Sequence, residues 1–466
     1  MYLSVTNLNI IQKYESFCFL RNLAATKGTA NMLLILTKAI TNRLRYIADL
    51  MVGELLGIGI SFTTSREEFI ACEGPKMSYG LDPVSDELFF ESSGLLFEAS
   101  LSFREVTNSL HKGVPTIFIS THPRSALPFD PLAAAFYMVS RYEEYLPFTR
   151  DSFGRFPATE SVAWKAHFLE IPVVHLWAAK IEELLRSHFP GLIFTHTPFR
   201  YVPTIDVDHA WCFLGRSLTR TLGGFGRSLI HGRFREAAKR ARVLTGAAAD
   251  PYDNYAFIKS THELYSDFPL YFILFANYGL NDNNVTVTSK NFHRLLRDLD
   301  RHRNVGIHPS ISSGRQQVRL QEEFKGLSRV IERDVTISRQ HFLKFSMPDT
   351  FRRLIQLGIA DDYSMGYASH IGFRAGIAIP YPFFDLSINE ATSLTIHPVS
   401  VMDVTLQDYL RLNTVESLEK IADVIQIVKS VHGEFVSLWH NESLGDSGRW
   451  KGWREVYKEM VKMASV

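Results

Sequence analysis

"PTIDVDHAW", residues 203–211, sets two aspartates two positions apart inside an apolar, strand-like run. Side chains at i and i+2 of an extended strand point to the same face, so Asp206 and Asp208 project together while Ile205 and Val207 pack behind them. Two carboxylates that close repel, and one pKa rises, unless a cation or an arginine stands between them. A strand end whose second aspartate opens the next loop has the same pattern. The meaning of the pair therefore depends on what the rest of the chain brings to it.

Downstream, short apolar runs alternate with helical periods. "PLYFILFA" (269–276) reads as a buried strand, "SKNFHRLLRDLDRHR" as a helix, and "VGIHPS" (305–310) as the next strand. Further strands are expected around "ISRQHFLKF", "DDYSMGY", "SLTIHPVSVMD" and "GEFVSLWHN", with helices such as "MPDTFRRLIQLG" between them. Serial alternation of this kind predicts a barrel-like α/β domain whose chemistry lies at the C-terminal strand ends. Four polar groups fall there: Asp206 with Asp208, His308, Arg339 and His440.

Upstream, the pattern begins at Met32 with "MLLILT" and continues with "ITNRLRYIADLMVGELLG", whose apolar residues Ile40, Leu44, Ile47, Leu50, Met51 and Leu55 recur at helical spacing before a stop at Gly57. "IGISFTTS" and "PTIFIS" (115–120) read as strands, and "FDPLAAAFYMVSRYEEYLPF" as a long helix with a polar "RYEEY" edge. A smaller α/β domain over 32–195 is expected, followed by the barrel over 196–466. Residues 1–31 stand outside the pattern, as a disordered leader or the product of an upstream start.

The totals agree with two domains, since 466 residues exceed one ordinary core. With 46% hydrophobic and 21% charged residues the chain reads as a soluble globular protein, and its net charge of +1 gives no reason to expect nucleic acid. Three cysteines without CxxC spacing suggest neither a disulfide framework nor a cysteine zinc site, which fits a reducing, cytoplasmic setting. No run approaches the roughly 20 apolar residues of a membrane span. Residues 212–250, with "RSLTRTLGGFGRSLIHGRFREAAKRAR", break the rhythm: rich in arginine and glycine and almost free of acids, they read either as a solvated helical insertion or as a peripheral contact with anionic lipid or glycan.

The ordered set of polar strand ends resembles the polysaccharide deacetylase family, carbohydrate esterase family 4. The resemblance covers roughly residues 200–466 and implies a distorted (β/α)7 barrel, here preceded by the smaller α/β domain. "TIDVDHA" is similar to the family's first motif and implies Asp206 as general base and Asp208 as metal ligand. "GIHPSISS" resembles the second and implies His308 as a ligand, "SRQHFLKFSMPDTFRRLIQLGI" the third, with Arg339 orienting the base, and "FVSLWHN" the last, with His440 as general acid. A divalent metal, zinc, is the implied cofactor. Residues 32–195 look like the companion region of a divergent branch, to which the resemblance assigns no catalysis.

One departure matters. The family's second motif carries another histidine four residues after the first, and here that position is Ser312. A catalytic zinc takes three protein ligands plus water, and Asp208 with His308 supplies two. His209, His370 and His397 are the candidates for a third, although His209 would point away from Asp208 if the strand continues. For the substrate, Trp439 and the tyrosines of "DDYSMGY", including Tyr363, offer a sugar platform or fill the core, and Arg374 in "GFRAGIAIPYPFF" offers a fork for anionic groups or lies in a plain connection. The leading expectation is a deacetylase acting on an N-acetylated sugar or glycan intermediate. The second is an inactive barrel that binds glycan or organises cell-envelope polysaccharide biosynthesis.

Overall fold

In the computed structural model the described residues are 31–466, less 278, 280, 281 and 283 and the side chain at 315. The expected leader lies outside them, apart from Asn31, whose side-chain amide exchanges hydrogen bonds with the backbone of Ile193. Four strands, β1 (Met32–Thr37), β2 (Gly59–Thr63), β3 (Lys76–Gly80) and β4 (Leu88–Glu91), form a parallel sheet in the order β2-β1-β3-β4. A hairpin of β5 (Asn108–His111) and β6 (Val114–Ile117) follows. The second half builds one mixed sheet from β7 (Arg200–Val207), β8 (Leu270–Ile273), β9 (Val305–Ile307), β10 (Ile337–Ser338), β11 (Asp361–Met365), β12 (Tyr381–Asp385), β13 (Glu390–Pro398), β14 (Val401–Met402) and β15 (Glu434–His440).

Their order is β12-β13-β11-β10-β9-β8-β7-β15-β14, and every pair is parallel except β12 with β13. The sheet curls as a half-barrel, with a seam where β13 gives way to β14. Val399 N still donates to Met365 O of β11, whereas Ser400 N donates to Val436 O of β15, so the chain crosses the seam within two residues and β14 continues β13 on the other side. Strand β7 is buried at every position from Val202 to Val207, as a parallel strand covered on both faces must be. Its register sets Asp206 opposite His440 and Ile205 opposite Trp439.

Between β11 and β13 the chain runs as a loop and the antiparallel β12 instead of a helix, and the N-terminal unit covers that flank. All nine residues of the helix Pro131–Val139 are buried, which is how a helix apolar all round must sit. Phe136 stacks edge-on against Phe384 of β12 at 5.1 Å, Tyr46 OH donates to Pro382 O at 2.8 Å, and Val174 N donates to Gly376 O at 3.0 Å. At Gly372, with φ +122°, a Cβ would stand 2.4 Å from Leu169 O, so only glycine allows that approach. One apolar core runs through both halves.

Two expectations need correction. The long helix through "RYEEY" breaks at Arg141, which adopts a left-handed conformation (φ 53°) and turns its guanidinium to Glu143 and Glu144, both at 2.8 Å. That polar edge is buried. The strand in "ISRQHFLKF" keeps only Ile337–Ser338, and the later part of the stretch cannot be strand, because Phe342 and Leu343 take positive φ. The basic segment forms a helical hairpin of Leu218–Ile230 and Phe234–Leu244. No helix among the described residues is long and apolar enough to cross a membrane.

Candidate metal centre

Asp206, Asp208, His308, Arg339 and His440 all stand at or just beyond the C-terminal ends of adjacent strands, and the structure brings these five together. Asp206 is buried, and its Oδ1 accepts from Arg339 Nη1 at 2.8 Å. Arg339 is itself fixed by donating from Nε to Tyr363 O at 2.9 Å, with its guanidinium 4.4 Å from the centre of the Phe272 ring. An arginine therefore stands against one carboxylate of the pair, the partner that the spacing of the two aspartates calls for.

The other carboxylate faces histidines. Asp208 Oδ1 lies 3.3 Å from His308 Nε2, and Oδ2 lies 3.4 Å from His341 Nε2. One ligand atom each from Asp208, His308 and His341 falls within 4.8 Å of the others. Both rings are held from behind: His308 Nδ1 is 2.6 Å from Arg339 O, and His341 Nδ1 is 3.1 Å from Asp282 Oδ1. With Nδ1 committed outward, each Nε2 is presented inward, the tautomer and orientation that metal-binding imidazoles need. Asp208 Oδ1 is buried and has no partner in hydrogen-bonding geometry. A carboxylate oxygen left so, beside two inward imidazole nitrogens, fits a divalent cation.

The electrostatics follow from these contacts. Burial alone would raise the Asp208 pKa, but His341 and His308 outweigh it and hold it well below the usual carboxylate range. Burial alone would lower the His341 pKa, but Asp208 and Asp282 raise it to about 9. His440 is opposed by burial in the same way and raised to about 10, chiefly by Asp403, whose Oδ1 lies 2.8 Å from its Nδ1 and whose Oδ2 accepts from its backbone N at 2.8 Å. His440 Nε2 stands 3.8 Å from Asp208 Oδ2, across the site.

The third candidate ligand is His341, not one of the three expected. His209 turns toward Glu442 (3.9 Å) and Tyr252, His370 packs on Trp164 with ring centres 4.5 Å apart, and His397 sits among carboxylates at the opposite end of the strands. Ser312 bonds the Ser310 hydroxyl at 2.9 Å and contributes no ligand. The signal for His341 was present: it follows Arg339 by two residues, the same spacing that pairs Asp206 with Asp208. Asp282 lies in a loop with no periodic pattern, and Asp403 follows β14 at the start of a helical segment, the last residue of the stretch "SLTIHPVSVMD" read as a strand but not marked as a site residue.

The residues expected to bind substrate lie elsewhere. Trp439 is fully buried against Trp453 and Tyr457 on the helix side of β15, opposite its neighbour His440. Tyr363 stacks on His397 at 4.2 Å. Arg374 is buried in ion pairs with Glu144 at 2.9 and 2.6 Å and donates to Gly366 O, which ties the loop "GFRAGIAIPYPFF" to the N-terminal unit. Beside His341 there is instead a cavity of about 220 Å³, lined by Ser310, Gln340 and His341 and by the cationic Arg150 and Lys344. The loop carrying His341 is braced from the N-terminal unit: Arg155 Nη1 donates to Phe342 O at 3.0 Å, and Phe153 stacks on Phe342 at 5.5 Å.

Among known proteins, a family of unknown function, DUF7033, matches residues 33–190. No curated protein matches the chain. The solved structures that resemble it include a "putative polysaccharide deacetylase" from Mycobacterium smegmatis (14% identity, TM-score 0.37, covering 57% of this chain and 84% of the other) and Puue allantoinase (9% identity, TM-score 0.35, covering 56% and 83%).

Proposed function

We propose that this chain is a metal-dependent hydrolase of the deacetylase type, built on a distorted (β/α)7 barrel over residues 196–466 and flanked by the companion unit over 32–195. One observation carries the proposal: Asp208, His308 and His341 converge, with the Asp206–Arg339 pair on one side and the His440–Asp403 pair on the other. Those three residues would hold a divalent cation, zinc by the type and number of donors, which when bound supplies a water of lowered pKa and polarises an acyl oxygen.

The chain's own residues do the rest. Asp206, oriented by Arg339, accepts the proton of the attacking water as its oxygen bonds to the acetyl carbon. His440 carries a proton at neutral pH, because Asp403 outweighs its burial, and is placed to give that proton to the amine as the C–N bond breaks. Acetate and a free amine are the products. An N-acetylated sugar or glycan intermediate is the substrate class this reading favours, in a cytoplasmic or membrane-peripheral setting. The alternative of an inactive glycan-binding barrel rested on Ser312, and His341 answers that objection.

The deciding experiment is acetate release from acetylated sugars by Asp206→Asn. Loss of about 10²–10⁴-fold is expected, the usual range for removing a general base, with circular dichroism and zinc affinity retained. Release at the wild-type rate would refute the assignment.

A further inference from the structure

We infer that the helical hairpin within residues 212–250 docks on an anionic lipid bilayer and so presents the metal centre to an acetylated sugar carried on a lipid. The docking stands on the hairpin alone, while the substrate clause rests on the function proposed above.

The hairpin turns large apolar side chains outward: Leu218 is 74% exposed, Leu222 61%, Leu229 52%, Ile230 84% and Phe234 66%. Leu218, Leu222 and Leu229 recur at spacings of four and seven and form one stripe along the first helix, and Ile230 and Phe234 extend it around the turn. These residues are not a core left unfinished, because the hairpin has its own packing. The Arg240 guanidinium occupies the space a Cβ on residue 224 would need, and it sits over the rings of Phe213 and Phe225 at 5.0 and 5.7 Å.

The same hairpin carries exposed cations: Arg227, Arg233, Arg235, Lys239 and Arg242. The two acids of the segment offset little of this charge: Glu236 is shared between Arg240 at 3.3 Å and Arg233 at 3.8 Å, and Asp250 accepts from the backbone amides of Cys212, Phe213 and Leu214. Exposed apolar residues and exposed arginine and lysine on one hairpin suit an interface of anionic headgroups over acyl chains. A second copy of the chain would bring the same cations face to face. Bilayer is therefore the occupant that the charge selects.

Position links the surface to the site. The hairpin leaves the C-terminal end of β7 just after Asp208, and its base is tied to the rim of the centre. Ala210 N donates to Asn284 Oδ1 at 3.0 Å, Asn441 Nδ2 donates to His209 O at 2.9 Å, and Asp250 clamps residues 212–214. A bilayer under the hairpin would lie beside the open end of the barrel, where a sugar on a lipid carrier can be reached without leaving the membrane.

The test is flotation of the full chain with vesicles of phosphatidylcholine alone or with 30% phosphatidylglycerol added. Binding is expected to the anionic vesicles only. It should weaken roughly 100-fold when Arg233, Arg235 and Lys239 are all changed to alanine, at about fivefold per cation, and should be lost in Leu222→Asp/Leu229→Asp/Ile230→Asp. Zinc binding should survive in both sets. Equal binding to both vesicles, or variants that float like wild type, would overturn the docking. So would a dimer in sedimentation velocity that the apolar variant breaks without altering flotation. Asp206→Asn should float as wild type, so a chain that docks but releases no acetate from any substrate would sink the enzymatic reading alone. Equal hydrolysis of a vesicle-borne substrate by the docking variants would sink the lipid-carrier clause.

Discussion

Among the described residues, the interior of the barrel-like half holds a histidine–carboxylate cluster at each end of the strands, and the pair separates a candidate site from a strut. At the C-terminal end His308 and His341 each commit Nδ1 to an outer partner and turn Nε2 toward Asp208. Near the first residues of β11 and β15, His397 spends both nitrogens, Nδ1 on Glu434 at 2.8 Å and Nε2 on Asp361 at 3.2 Å. His341 and His397 are alike in burial, and carboxylates outweigh that burial to raise both pKa values to about 9. A perturbed pKa therefore does not tell the two apart. A ring nitrogen with nothing but another ligand in front of it does.

The sharpest break in this comparison is the exchange of roles. His341→Ala should weaken zinc binding by more than ~100-fold in a calorimetric titration, beyond the usual cost of losing an outer-shell partner, while its melting temperature stays close to that of metal-free wild type. His397→Ala should do the reverse, keeping zinc affinity while losing about 3 kcal/mol of stability, because Glu434 and Asp361 then lose the partner between them. Equal zinc loss in the two variants would remove the distinction drawn here.

The second effect is smaller and depends on pH. A histidine whose pKa is raised on folding contributes stability that is fully present below its unfolded value, near 6.5, and is lost as pH rises through the folded value. For His397 the window runs from about 6.5 to about 9. In zinc-loaded protein, urea unfolding should show wild type losing of order 2 kcal/mol more than His397→Gln across that window. Parallel curves would show that the cluster exchanges no proton on folding.

How much of this was legible in the sequence follows from the same contrast. Asp206, Asp208, His308, Arg339 and His440 could be placed because strand periodicity puts them on one face at strand ends, and strands are the part of a chain that spacing describes well. His341 is not legible from a fixed offset after His308, where Ser312 stands, although "SRQH" carries the same two-residue spacing as "DVD". Arg374 and Trp439 were assigned to substrate on chemical type alone. Only the tertiary fold reveals that Glu144 from the N-terminal unit claims the one and that Trp453 and Tyr457 cover the other. The flank where the N-terminal unit replaces a helix leaves just one trace in the sequence, the continuous apolar run "PLAAAFYMV" (131–139).

That flank supplies the smallest effect. Arg155 touches no ligand. It is oriented by Asp151 Oδ2 at 2.7 Å and holds Phe342 O, one residue beyond His341, where the backbone takes a positive φ that needs outside support. Arg155→Ala should leave the ligands in place but loosen the segment carrying one of them. Zinc affinity should then fall about 3–10-fold, below the 10–100-fold typical of a direct outer-shell partner, since the effect passes through the backbone. Arg155→Lys should recover part of it, because one donor can still reach the carbonyl. Arg374→Ala is the matched comparison: it removes a buried arginine that also joins the two halves, yet it bonds no residue next to a ligand. It should lower stability with zinc affinity unchanged. If both arginines lowered affinity alike, the N-terminal unit would act on the centre through general stability. If only Arg155 did, the unit would help set the geometry of His341.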